Sequence, residues 1–137
     1  DVIDFCLPSH DARLRGGWYE LEGVFGNKYR WIGAQASAVL KRVKPGAQKL
    51  RIRGHVHEQS FAQGKPVTLI ADVNGQRVGE WTLERSGLFI VEANLPEAAE
   101  YELSVTAGPT WQVPTDDRVF SVNLSMIRLA PQDDSEL

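Results

Sequence analysis

Residues 67–83 constrain the fold more than any other part of this chain. Two β-like runs, Val67-Thr68-Leu69-Ile70-Ala71-Asp72-Val73 and Gln76-Arg77-Val78-Gly79-Glu80-Trp81-Thr82-Leu83, are separated by Asn74-Gly75 alone. A two-residue connection between antiparallel strands needs positive φ at both central positions, and Asn followed by Gly meets that need at the least steric cost. This segment therefore reads as a tight β-hairpin. Trp81 breaks strict alternation with Val78 and Leu83, so its side stays open between core and surface.

The rest of the chain repeats short apolar alternation between turn residues, with no helix of convincing length. Residues 35–43 read as a strand ended by Pro45-Gly46. In 48–57, Leu50, Ile52, Gly54 and Val56 share one face, and Lys49, Arg51, Arg53 and His55 share the other. Further strands are expected at 88–94 and at 100–107, where Tyr101, Leu103 and Val105 align. In the final strand, 119–129, the inward set runs Phe120, Val122, Leu124, Met126 and then shifts to Ile127 and Leu129, which predicts a β-bulge. Seven or eight strands without a helical crossover imply antiparallel pairing. The expected class is all-β: an antiparallel two-sheet β-sandwich, jelly-roll-like.

A chain of 137 residues, 42% of them hydrophobic, fits one domain that buries its own core. The expected division is a lead-in or linker over 1–16, the sandwich over 17–130 and an acidic, disordered tail over 131–137. The chain opens on Asp1 and lacks a basic start followed by an apolar stretch. It reads as a piece of a longer protein without a signal peptide. No apolar run approaches the roughly 18 residues of a membrane span.

Several chemistries are weak here. Cys6 is the only cysteine, so there is no intrachain disulfide and no cysteine-based zinc site. No glycine pattern is followed by a helix in the way a phosphate-binding loop requires. A glycosidase needs two carboxyls facing one bond, whereas Glu20 and Glu22 are neighbours on one strand. His55 and His57 have a spacing that can chelate a transition metal, with no evident third ligand. No cofactor and no metal site is expected, except that Asp116 and Asp117 with loop carbonyls leave a structural Ca²⁺ open. A net charge of −3 argues against nucleic acid as the main partner. The basic residues of 41–53 carry no interleaved aromatics, which weakens single-stranded nucleic acid binding further. Lys49, Arg51 and Arg53 remain either a solvated face paired with acids such as Glu80 or Glu92, or a track for an anionic polymer.

The chemistry-bearing residues concentrate elsewhere. Gly17-Trp18-Tyr19-Glu20-Leu21-Glu22 is followed by Tyr29-Arg30-Trp31, and Trp111 precedes Asp116-Asp117-Arg118. Aromatic faces beside hydrogen-bonding side chains suit a sugar ring, and equally suit closure of one end of an all-β core. The order of Gly17-Trp18-Tyr19, Glu22, Arg30-Trp31, a central Asn74-Gly75 hairpin and Asp116-Asp117-Arg118 before a last strand resembles a β-sandwich module of bacterial glycan-associated proteins. Such modules are appended to glycosyltransferases and sugar-modifying methyltransferases. The resemblance covers residues 16–130, and the chain departs from it between Glu22 and Arg30 and in having Trp111. It implies a jelly-roll-like fold similar to carbohydrate-binding modules, and a domain that holds a glycan or positions an adjacent catalytic domain of the same protein. Attachment to a glycosyltransferase would place it in the cytoplasm.

The expected function is a non-catalytic carbohydrate-binding accessory module. Trp18, Tyr19, Trp31 and Trp111 would stack on a pyranose. Glu22, Arg30, Asp117 and Arg118 would hydrogen-bond hydroxyls. One alternative is a structural or docking domain in which Trp18, Trp31 and a Glu22–Arg30–Arg118 network are internal. Others are a hydrolytic or lyase enzyme, and a binder of an anionic polymer through Lys49, Arg51 and Arg53.

Overall fold

The period-two pattern is realised as two antiparallel sheets whose apolar faces meet. The structure, a computed structural model, describes residues 2–4, 13–24, 27–42, 44–62, 64–112, 114–115 and 118–132. Its strands are β1 (Val2–Asp4), β2 (Trp18–Val24), β3 (Asn27–Ile32), β4 (Gln35–Lys41), β5 (Gln48–Val56), β6 (Val67–Val73), β7 (Gln76–Leu83), β8 (Gly87–Leu95), β9 (Glu100–Gly108) and β10 (Val122–Pro131). A 3-10 helix, Glu58–Phe61, follows β5. No helix among the described residues is long and apolar enough to cross a membrane.

The larger sheet runs β2-β3-β10-β5-β8, with β1 joining β10 as well, and the smaller runs β4-β9-β6-β7. Alternation decides which side chains fill the space between them. Leu50, Ile52 and Val56 of β5, Phe89, Val91 and Leu95 of β8, and Leu69 and Ala71 of β6 are buried there. Tyr101, Leu103 and Val105 complete the layer, each with at most 1% of its surface exposed.

The Asn74-Gly75 turn forms as its sequence predicts, with φ of 51° and 82°. Asn74 does more than turn the chain. Its Oδ1 accepts the Glu102 N–H at 2.8 Å and its Nδ2 donates to the Glu100 carbonyl at 3.3 Å, tying the β6–β7 hairpin to β9. Trp81 resolves inward: it opposes Leu69, packs against the core, and its ring lies where a Cβ on Gly79 would stand.

Three strands go beyond those read from the sequence. Residues 2–4, assigned to a lead-in, form β1, because Ile3 opposes Ile127 and is fully buried. Glu20 and Glu22 read as neighbours on one strand, but the extent of β2 does not follow from the sequence because its register shifts between Trp18 and Leu21, which breaks simple alternation, and β3 is added by the structure. The expected bulge in the last strand is present between Leu124 and Met126. It comes one residue earlier than expected: Met126 opposes Arg53 on the outer face instead of joining the inward set. The tail residues 133–137 and Cys6 lie outside the described residues.

Candidate functional site

On the outer face of the larger sheet, strand register lines side chains up in rows. Trp31 of β3 opposes Asn123 of β10, which opposes His55 of β5, which opposes Leu88 of β8. Tyr29 lies two residues before Trp31 on the same face, and its ring meets Trp31 edge to face at 6.3 Å. These residues, with Gly54, His57 and Ser125, line a cleft of about 300 Å³. Asn123 is only 6% exposed, and its carboxamide makes no side-chain hydrogen bond among the described residues. The cleft thus has aromatic walls and a polar floor.

One end of the cleft is closed by an aromatic cluster. Trp31 touches Trp111 and Phe120 at centroid distances of 5.4 and 5.3 Å. Trp111 stacks at a tilt on Phe120 at 4.9 Å and on His57 at 5.5 Å. Trp111 is held by backbone and side chain. It exchanges two 2.8 Å N–H···O bonds with Phe120, and its Nε1–H donates to Ser60 Oγ at 2.9 Å. Ser60, buried in the 3-10 helix, donates in turn to the Ser121 carbonyl at 3.0 Å. His57 caps that helix by accepting the Gln59 N–H on Nδ1 at 3.1 Å. Beyond Trp111 lies a second cavity of about 410 Å³, lined by Gln59, Ser60, Ala62, Thr110, Trp111, Gln112 and Val119.

The residues singled out from the sequence divide. Tyr19, Trp31, Trp111 and Arg118 come together: Arg118 lies over the Tyr19 and Phe120 rings at 5.7 and 5.0 Å, and Tyr19 packs on Phe120 at 5.6 Å. The Tyr19 hydroxyl donates to the Val119 carbonyl at 2.9 Å and accepts the Val119 N–H at 3.2 Å. Trp18 goes elsewhere. It packs against the core and donates from Nε1 to the Ser37 carbonyl at 2.7 Å. Arg30 donates to the Tyr19 carbonyl at 2.8 Å, and it opposes Leu21 and Leu124, so it sits on the core side of its strand. Glu22 opposes Tyr29 and is exposed on the outer face, so Glu22 and Arg30 lie on opposite faces of the sheet. Asp116 and Asp117 lie outside the described residues.

Sequence reasoning missed Asn123, Ser60, Leu88 and Phe120 as parts of this region. It weighed His55 and His57 as metal ligands or as polar residues on a solvent face, not as lining of a cleft. Both line the cleft, and among the described residues no group of three or more His, Cys, Asp or Glu side chains gathers that could hold a metal. Neither cavity has an Asp or Glu among its described lining residues. The arrangement offers stacking area and neutral hydrogen-bonding groups.

No protein-family model and no curated protein matches the sequence. Solved structures do match it. A family 35 carbohydrate-binding module from an environmental isolate aligns with a TM-score of 0.53 and 15% identity, over 88% of this chain and 92% of that one. A CBM36 module in complex with calcium and xylotriose aligns with a TM-score of 0.52 and 10% identity, over 94% and 98%. The fold is that of a carbohydrate-binding-module β-sandwich. The CBM35-bearing GH26 β-(1,4)-mannanase of Podospora anserina aligns with a TM-score of 0.59 and 14% identity, over 98% of this chain and 28% of the enzyme. At such identities the shared property is the CBM-like sandwich itself.

Proposed function

We propose that this domain is a non-catalytic carbohydrate-binding module, an accessory to a larger glycan-active protein. The observation that carries the reading is the cleft on the larger sheet, where Trp31 and Tyr29 flank the Asn123 carboxamide. A pyranose presents C–H groups on its faces and hydroxyls at its edge. The Trp31 ring suits the first, and Asn123, Ser125 and the two imidazoles suit the second. Tyr19 and Arg118 brace the aromatic cluster behind Trp31. In this reading the parent protein also carries a catalytic domain, a bacterial glycosyltransferase being the first candidate, acting in the cytoplasm.

Titration of intrinsic Trp fluorescence with a panel of mono- and oligosaccharides tests the reading. A saturable shift for a sugar, lost in Trp31→Ala with the fold intact, is the expected result. Silence towards every sugar would sink it.

A docking role is the second reading. Leu88 and Ile90 favour it, being 70% and 45% exposed on the edge strand β8.

A further inference from the structure

The outer face of the larger sheet changes character along β5. At one end is the aromatic row of Trp31, Asn123, His55 and Leu88. The next positions outward on β5 are Arg53, opposite Met126 and Ile90, then Arg51, opposite Arg128 and Glu92, then Lys49, opposite Ala130 and Asn94. The two central strands, β5 and β10, thus present Lys49, Arg51, Arg53 and Arg128 on this face and no acid. The acids are on flanking strands: Glu92 is 4.0 Å from Arg51, Asp4 of β1 opposes Met126, and Glu22 lies beyond Tyr29. In a chain of net charge −3, this concentration of cations on one face is local and ordered by register.

Arg53 joins the two regions. Its Nε donates to Ser125 Oγ at 3.0 Å, and Ser125 lines the aromatic cleft. That bond holds a half-buried guanidinium at the rim of the cleft with Nε as its only engaged donor among the described residues. The outer ends of a guanidinium form a planar fork that matches a carboxylate or a sulfate bidentately. Successive outward positions on a strand are roughly 7 Å apart, so β5 offers a ladder of charges to a chain that carries its own charges in series.

We propose that the ligand is an anionic polysaccharide. One of its rings lies against Trp31 and Tyr29, and its acidic groups are taken by Arg53 and then by Arg51 and Lys49 along β5. This rests on the carbohydrate reading above and names the ligand class of the same cleft. The electrostatic part of the binding is salt-sensitive, and the stacking part is not.

The test is calorimetric titration of the domain with polygalacturonate, a sulfated glucan and a neutral glucan of matched length. It is run at low salt and at about 1 M, where the screening length falls to about 3 Å. The charged polymer is expected to bind about tenfold or more tightly than the neutral one, with most of that advantage lost at high salt. Preference for polygalacturonate assigns a carboxylate, and preference for the sulfated glucan assigns a sulfate. Arg53→Gln is expected to remove about tenfold of the charged polymer's advantage over the neutral one, and Arg53→Lys to recover part of it. Lys49→Gln, remote from the core, gives a smaller loss in the same direction. Trp31→Ala weakens both polymers. Equal, salt-insensitive binding of neutral and charged polymers overturns the anionic assignment and leaves the carbohydrate reading standing. Charged binding that ignores Trp31→Ala, or that a DNA oligonucleotide matches, overturns it as an unspecific polyanion surface. No binding of any polymer removes both readings.

Discussion

The Trp31 and Trp111 rings meet edge to face, centroids 5.4 Å apart with their planes at 90°. They come from distant parts of the chain, Trp31 from β3 and Trp111 from the loop before β10. Trp31 lines the cleft on the sheet face and Trp111 lines the cavity beyond it. The position of one ring therefore depends on whatever seats the other.

Ser60 seats Trp111. Its hydroxyl accepts from Nε1 and donates to the Ser121 carbonyl while only 2% of the residue is exposed. Ser60→Ala leaves both partners unsatisfied in a buried site and should cost about 1–3 kcal/mol. The expected result in urea denaturation is a lower midpoint at unchanged slope, with a shifted Trp emission maximum in the folded state.

Trp31 and Asn123 should separate stacking from hydrogen bonding. Trp31→Ala should weaken sugar binding at least tenfold, about 1.4 kcal/mol, through lost contact area. Asn123→Ala should weaken it by a similar factor while folding stability falls by about 1 kcal/mol through lost packing alone, because the carboxamide has no side-chain hydrogen bond to lose among the described residues. Calorimetric titration beside thermal melts reads both quantities. Unaltered affinity in Asn123→Ala would remove it from the site.

Gly54 is required by its neighbours. A Cβ there would stand 2.2 Å from the Asn123 carbonyl oxygen and 2.7 Å from the Phe89 ring. Gly54→Ala must push β5 from β10 beside the bulge, and should cost roughly 3 kcal/mol. It should also deform the cleft floor, since Gly54 lines it. Chemical denaturation checks the first effect and sugar titration the second.

Tyr101 sets an alkaline limit. Burial pushes its phenol above the ordinary value of 10.0, against a smaller downward pull from the Ala98 N–H. The hydroxyl donates to the Pro96 carbonyl at 2.5 Å. The folded state thus holds its proton more tightly than the unfolded state does. That stability is fully present below pH 10.0 and is lost as pH rises through the raised folded value. Denaturation midpoints should fall on crossing that range, and Tyr101→Phe should flatten the fall while lowering stability at neutral pH by about 1 kcal/mol.

Where side chains obey simple alternation, the fold was legible. The faces of β5, the Asn74-Gly75 turn and the shared side of Tyr101, Leu103 and Val105 all follow from local pattern. The extent of β2 was not legible beyond Glu20 and Glu22, because the shift between Trp18 and Leu21 interrupts its period. Of the candidate site, the sequence singles out the aromatics Trp31 and Trp111, which the fold brings together. Their polar company was not legible, because it is set by register between strands far apart in sequence. Asn123 reaches the cleft floor only because β10 pairs with β3 on one side and β5 on the other. Trp18 shows the converse: adjacency in sequence to Tyr19 did not bring it to the site, since it fills the core beside β4.

β10 is the last strand among the described residues and an interior strand of its sheet. It pairs with β1 and β3 along one edge and with β5 along the other. During synthesis on the ribosome, then, β1, β2 and β3 have no link through this sheet to β5 and β8 until residues 122–131 emerge. Until that moment both flanking edges are open to the wrong partner, so a nascent chain stalled before β10 is a candidate for chaperone capture.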